Sequence, residues 1–281
     1  MKTIICAIDY SKNAVTAIKY AHEISSKLGA NLLVIHVYKL PLMLGLEFDI
    51  FYEDLEKTTL KKHNKKLKKY CKNHLGEELE EMNVKTDAFE AVSVAQGILS
   101  KANENKAFMI VIGMKKEAAF EDLFMGNTSL NLIEKAPCPV LAIPENASSE
   151  KIKTIVYATD FEQEDIGAIY KVSQIAKKYN AKIKVVHISP STEVDGTVKM
   201  EWFKEMVKQK VTYKKIDFKV LFSEEIFNTL KSYIDNKEAD MVAMLEREKS
   251  GFLKKLFHRD LVKEMESFGK VPLLSFNEAN Y

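Results

Sequence analysis

The sequence predicts an α/β protein of two tandem domains, each built on a parallel sheet with helices packed against it. Three observations carry this. The chain repeats itself: TIICAIDYSKNAVTAIKYAHEISSKLGANLLVIHV, from Thr3, lies over TIVYATDFEQEDIGAIYKVSQIAKKYNAKIKVVHI, from Thr154, at a constant offset of 151 with 11 identities in 35 positions. Similarity at a fixed offset marks a duplicated structural unit. Within each copy, short Ile- and Val-rich runs alternate with segments whose apolar residues recur every three or four positions, the pattern of buried strands joined by amphipathic crossover helices. Finally, 281 residues with 46% hydrophobic content suffice for two cores of ordinary size.

The elements follow in order. Strands are expected near 3–9, 31–37, 84–89, 108–113 and 139–144, because most are short apolar runs of the kind that strands covered on both faces require. Val15, Ile18, Ala21 and Ile24 mark one face of the first helix. Strand then helix, repeated, implies right-handed crossovers. FMIVIG matches DMVAML, and PVLAIP matches PLLSF, at an offset of 132 or 133 rather than 151. The first half therefore carries about twenty more residues between its second and third strands, within KLPLMLGLEFDIFYEDLEKTTLKKHNKKLKK. PENASSEKIK, with Pro144 and a polar run, separates a domain over 1–146 from a second over 151–281.

Composition excludes several function classes. Forty-two basic against 40 acidic side chains leave a net charge of +2, so no global field points to nucleic acid or a membrane. Asp9 ends the first apolar run too early for a signal peptide, and no eighteen-residue apolar window exists, so a cytoplasmic protein is expected. Cys6, Cys71 and Cys138 are odd in number and far apart, which argues for reduced packing residues over a disulfide framework or a zinc site.

IICAIDYSKNAVTAIKYAHEISSKLGANLLVIHV, then FMIVIG, a glycine thirteen residues on, and APCPVLAIP together resemble the universal stress protein family in its tandem form, over nearly the whole chain. The resemblance implies, for each half, an open five-stranded parallel sheet of order 3-2-1-4-5 with helices on both faces. In such a sheet the first and fourth strands are neighbours whose chains leave in opposite directions, opening a crevice at their carboxyl ends. Family members that bind ATP carry a G-x2-G-x9-G-[S/T] loop there. This chain keeps Gly113 and Gly126 but has Lys116 and Asn127 at the other two positions. By resemblance, Asp9 contacts the ribose or adenine end and Val37 lines the base pocket. Gly113, Lys115, Lys116, Gly126, Asn127, Thr128 and Ser129 surround the phosphates, with magnesium accompanying bound ATP. In the second half the loop positions hold Leu245, Glu248, His258 and Arg259, and only Asp160 survives. Glu246 and Glu248 oppose phosphate there.

Other candidates have plainer readings. His36 and His187 sit at matched strand positions among apolar neighbours, as hydrogen-bonded structural histidines do. Cys71 and His74, at i and i+3, share a helix face without further ligands. Asp160 reads as a capping or turn residue. Leu42 to Tyr52 is dense in large apolar side chains and is expected to cover a pocket or meet the other domain or a second chain. No nucleophile paired with a base is present, and neither a P-loop nor a dinucleotide fingerprint. Three functional readings stand: a stress-response binding or regulatory protein, not an enzyme, with an adenine nucleotide in the first half; a nucleotide-free scaffold for a protein partner or self-association; or a slow ATPase.

Overall fold

A computed structural model describes residues 2–39, 48–116, 123–124, 127–147, 151–190, 196–246 and 271–281. The first half runs β1 (Thr3–Ala7), α1 (Lys12–Leu28), β2 (Asn31–Tyr38), α2 (Phe48–Leu75), β3 (Val84–Glu90), α3 (Val94–Glu104) and β4 (Met109–Gly113). A two-strand ribbon of β5 (Lys115–Lys116) and β6 (Leu123–Phe124) follows, then α4 (Asn127–Lys135) and β7 (Val140–Ile143). The second half runs β8 (Thr154–Ala158), α5 (Gln163–Tyr179), β9 (Lys182–Ser189), α6 (Gly196–Lys210), β10 (Ile216–Phe222), α7 (Ile226–Asn236), β11 (Met241–Glu246) and β12 (Leu273–Asn277), closing in a 3-10 turn over Glu278–Asn280.

The main strands form one ten-stranded sheet, β10-β9-β8-β11-β12-β7-β4-β1-β2-β3. Each half contributes five parallel strands in the order 3-2-1-4-5, as expected. The fifth strands meet at the centre, where β12 runs antiparallel to β7 with Leu273 opposite Ala142, Leu274 opposite Leu141 and Ser275 opposite Val140. Pairing these two strands removes an exposed edge from each half, leaving β3 and β10 at the margins among the described residues. Alternate residues of each strand enter cores on opposite faces: Ile4 and Cys6 lie on one, Ile5 on the other. Each core contains residues of both halves, so burial is continuous across the seam.

Local signals explain the helix ends. Ser11 caps α1, its side chain accepting from the Ala14 N–H at 3.3 Å, and Gly29 stops that helix at φ 62°. In the copy, α5 starts in a reciprocal box between Glu162 and Asp165 and stops at Asn180, also left-handed at φ 56°. The stop sits at the same repeat position in both halves, since 29 plus 151 is 180.

The predicted insert is largely helical. Between the second and third strands lie 45 residues in the first half (39–83) and 26 in the second (190–215), a difference of 19. The helices there have 28 and 15 residues, so 13 of the 19 lengthen α2. Of the apolar stretch from Leu42 to Tyr52, residues 42–47 lie outside the described residues, and Phe48 to Tyr52 are the start of α2 rather than a loop. Asn64 on this helix reaches the margin of the sheet: it donates to the Ala88 carbonyl at 3.2 Å and accepts from the Ala88 N–H at 3.0 Å, occupying part of the open edge of β3. Among the described residues, no helix is long and apolar enough to cross a membrane.

Candidate functional site

Asp9, Val37 and Gly113 all lie at the carboxyl end of the first-half sheet. Ala7 pairs with both Ile35 and Ile112, which sets the ends of β1, β2 and β4 level. β1 ends at Ala7, so Asp9 lies two residues beyond it, where its carboxylate accepts the Ser11 N–H at 3.0 Å. Val37 is buried in the core beneath α3, and its Cγ1 lies 3.2 Å from where a Cβ on Gly97 would stand. Gly113 has a packing reason to be glycine: a Cβ there would meet the Asn13 backbone carbon and oxygen at 2.9 Å. Asn13, buried at the start of α1, donates through Nδ2 to the Met114 carbonyl and ties that helix to the end of β4.

Topology places the start of α4 at this same end. β4 and β7 are parallel, so the helix joining them must carry the chain back from the carboxyl end to the amino end of the sheet. Its free N–H groups and positive dipole end therefore face the crevice side. Asn127, Thr128 and Ser129 form its first turn, with Thr128 and Ser129 partly exposed. Lys115 and Lys116 are placed in the ribbon, paired with Phe124 and Leu123. Gly126 lies outside the described residues.

Both halves repeat one device beside the crevice. Tyr10 and its copy Phe161 adopt positive φ, 62° and 67°, which is costly for large side chains. That conformation lays each ring on the matched histidine, Tyr10 on His36 at 4.5 Å and Phe161 on His187 at 4.1 Å between centroids. Each histidine Nδ1 bonds the carbonyl just before the matched aspartate, Ile8 or Thr159, at 2.9 Å. The histidines thus hold the turn after the first strand, a structural role.

In the first half α2 closes over this turn. His63 stacks on Tyr38 at 4.1 Å and on His36 at 5.5 Å, and Lys66 lies over the Tyr10 ring at 3.8 Å. Burial, with His36, Lys66 and Lys62 nearby, pushes the His63 pKa down. Cys71 is buried and its thiol is pushed up to about 12 by desolvation. All three cysteines are free and buried, and among the described residues no His, Cys, Asp and Glu group could hold a metal.

The second half contains a buried polar network that sequence reasoning missed. Asp165 is 1% exposed and accepts from Tyr157 Oη at 2.6 Å, Thr159 Oγ1 at 2.8 Å, the Glu162 N–H at 3.1 Å and the Asp160 N–H at 3.3 Å. The reciprocal cap of α5 is therefore made by Glu162 and Asp165. The Asp160 carboxylate lies 3.8 Å from His187 Nδ1. The matched first-half residues are Cys6, Ile8 and Ala14, all apolar and buried. Three positions changed together, and the repeat alignment carries that signal. Alongside, Thr159, Asp160, His187, Ile226 and Leu230 line a cavity of about 20 Å³, room for about one water.

Burial raises the Asp165 pKa from 3.8 to about 6, the hydrogen bonds from Tyr157, Thr159 and Asp160 opposing the shift. Between those values the folded protein holds the proton that the unfolded chain has released, so stability falls as pH rises through 6. Relative to an Asp165→Asn variant, which does not titrate there, the wild type should gain about 2 kcal/mol as pH falls from 7 to 4. Urea midpoints of the two proteins across that range measure it, and a constant difference would refute it.

Comparison with known proteins gives consistent likenesses. A family model described as the universal stress protein family matches residues 1–144. The chain is 32% identical over 155 residues to a universal stress protein of Thermus aquaticus, covering 50% of this chain and 98% of that one. It is 28% identical over 144 residues to one of Methanocaldococcus jannaschii, covering 50% and 81%. The crystal structure of a universal stress protein from Archaeoglobus fulgidus superposes with a TM-score of 0.69 over 98% of both chains at 13% identity, a likeness of fold across both halves.

Proposed function

We propose that this chain, which belongs to the universal stress protein family, is a binding and regulatory protein of the stress response that takes an adenine nucleotide, ATP with magnesium, in its first half only. The observation that carries the reading is that the family match falls on residues 1–144. That half retains Gly113 and Gly126 and, at one end of the sheet, Asp9, Val37 and the start of α4. The chemistry suits an anion: free helix N–H groups, a positive dipole end and the charges of Lys115 and Lys116 would meet the phosphates. Asp9 would accept from a ribose hydroxyl, and Val37 would offer an apolar wall to the base. In the second half Leu245 replaces Gly113, and Glu246 and Glu248 oppose phosphate. The chain is not proposed as an enzyme, because among the described residues no nucleophile paired with a general base accompanies the candidate phosphate site.

Calorimetric titration with ATP and magnesium tests the reading. We expect saturable binding at one site per chain. Gly126→Val should weaken it roughly tenfold or more while leaving the unfolding midpoint within error, because a side chain at the helix start blocks phosphate approach. Unchanged affinity in that variant would place the nucleotide elsewhere. Absence of binding to the wild type would favour the nucleotide-free scaffold, a reading supported by Lys116 and Asn127 standing where ATP-binding relatives carry glycine and Ser or Thr.

A further inference from the structure

We infer that the tail after β12 is a positioning element for α4, by which the second half sets the helix that faces the crevice of the first. Asn277 Nδ2 donates to the carbonyl of Glu134, in the last turn of α4, and Asn280 Nδ2 donates to the carbonyl of Ala136, just past its end, at 2.8 Å. These are carbonyls that a helix terminus leaves without intrahelical partners. The tail is anchored on its own half. The Tyr281 ring lies so close over α5 that a Cβ on Gly167 would stand 2.6 Å from its Cδ1, and it packs on Phe276 at 5.8 Å and under Lys171 at 4.5 Å. Asn277 also accepts the Ala279 N–H at 2.8 Å, which shapes the turn that brings Asn280 to its partner.

A helix of nine residues is marginal alone and takes its position from tertiary contacts. Two donors on its carboxyl end, held by a tail fixed to another part of the sheet, set where that helix lies along its axis and hence where its N–H groups point. The arrangement runs one way. At the offset of 133 that aligns PVLAIP with PLLSF, Asn277 matches Pro144 and Asn280 matches Ala147, neither of which has a side-chain donor. The first half therefore cannot return the contact by the same residues. The role at the crevice rests on the nucleotide reading above; the anchoring of α4 does not.

Asn277→Asp with Asn280→Asp separates the possibilities. Aspartate keeps the acceptor for the Ala279 N–H but removes both donors to α4 and sets negative charge against a helix carboxyl end, which opposes it. Asn277→Ala with Asn280→Ala removes donors and acceptor together. The readouts are amide hydrogen exchange across 127–135 in the nucleotide-free, full-length protein, and ATP affinity by calorimetry. We expect both double variants to exchange these amides roughly tenfold faster, with the protection of β1 and β4 unchanged, and the aspartate pair to bind ATP roughly fivefold more weakly. Wild-type exchange in the aspartate variant would overturn the anchor and show that only the shape of the tail matters. Faster exchange with unaltered ATP affinity would overturn the positioning role. If the wild type binds no nucleotide, the proposed function fails by itself, and exchange across α4 still decides whether the tail holds the helix.

Discussion

Asp165→Ala should lower stability by about 2 kcal/mol at pH 7, and by about 4 at most, more than most substitutions of a single polar residue. Two effects oppose each other. Removing the carboxylate abolishes the cost of keeping it ionised in the interior, which the shift from 3.8 to about 6 sets at about 3 kcal/mol. It also takes the shared acceptor from the Tyr157 and Thr159 hydroxyls and dismantles the α5 cap, at about 1–3 kcal/mol for each buried hydrogen bond lost and about 1 for the cap. The loss exceeds the gain. It should grow further at pH 5, where protonated Asp165 keeps its partners without the charge. Replacing the whole network by its first-half counterpart, Tyr157→Cys with Thr159→Ile and Asp165→Ala, should recover part of the deficit, since the two hydroxyl donors go with their acceptor, while the Asp160, Phe161 and Glu162 N–H groups still lose theirs. Chemical denaturation of the three proteins measures this. A triple variant less stable than Asp165→Ala would show that the network is not interchangeable with the apolar set.

Leu274→Asp is expected to unfold both halves together. Leu274 is fully buried and sits opposite the equally buried Leu141 at the antiparallel seam between β12 and β7. The change forfeits about 1.5–3 kcal/mol of apolar burial and places a carboxylate in the middle of a ten-stranded sheet, where charge without a partner costs several kcal/mol more. A total stability of about 5–15 kcal/mol does not absorb that. Leu274→Ala, at about 2–5 kcal/mol, keeps the protein folded enough for analysis. In that variant the fluorescence of Trp202, the one tryptophan, reports the second half and exchange at β1 and β2 the first. Coincident transitions at a lower urea midpoint are expected, because each core crosses the seam. A first half that stays protected while Trp202 reports unfolding would show two independent units.

Much of the architecture was legible because duplication makes the chain its own comparison. The offset of 151 aligned strand with strand, brought His36 onto His187 and Asp9 onto Asp160, and paired the helix stops Gly29 and Asn180. The antiparallel meeting of PVLAI and PLLSF fits the same order, since fifth strands left at an edge need a partner. That Asp9, Val37 and Gly113 share one rim was readable for the same reason: in a parallel sheet, where a strand stops decides which rim its residues occupy. The long α2 was not. Large apolar residues in LPLMLGLEFDIFYEDL fit a loop packed on something as well as the start of a helix, and only the extent of Phe48–Leu75 separates the two.

The sequence by itself determined the repeat, the order of elements, the damaged loop and the family, all properties of residue type at fixed spacing. The tertiary structure alone decided what lies between elements distant in the chain. Gly113 is glycine because the Asn13 backbone passes 2.9 Å from its missing Cβ. Asp165 tolerates burial because Tyr157 and Thr159 converge on it. Asn280 reaches Ala136 across 144 positions of chain. Such contacts depend on distances of a few tenths of an ångström and on hydrogen-bond directions, which are set only when two surfaces close on each other and which no periodicity along a single chain encodes.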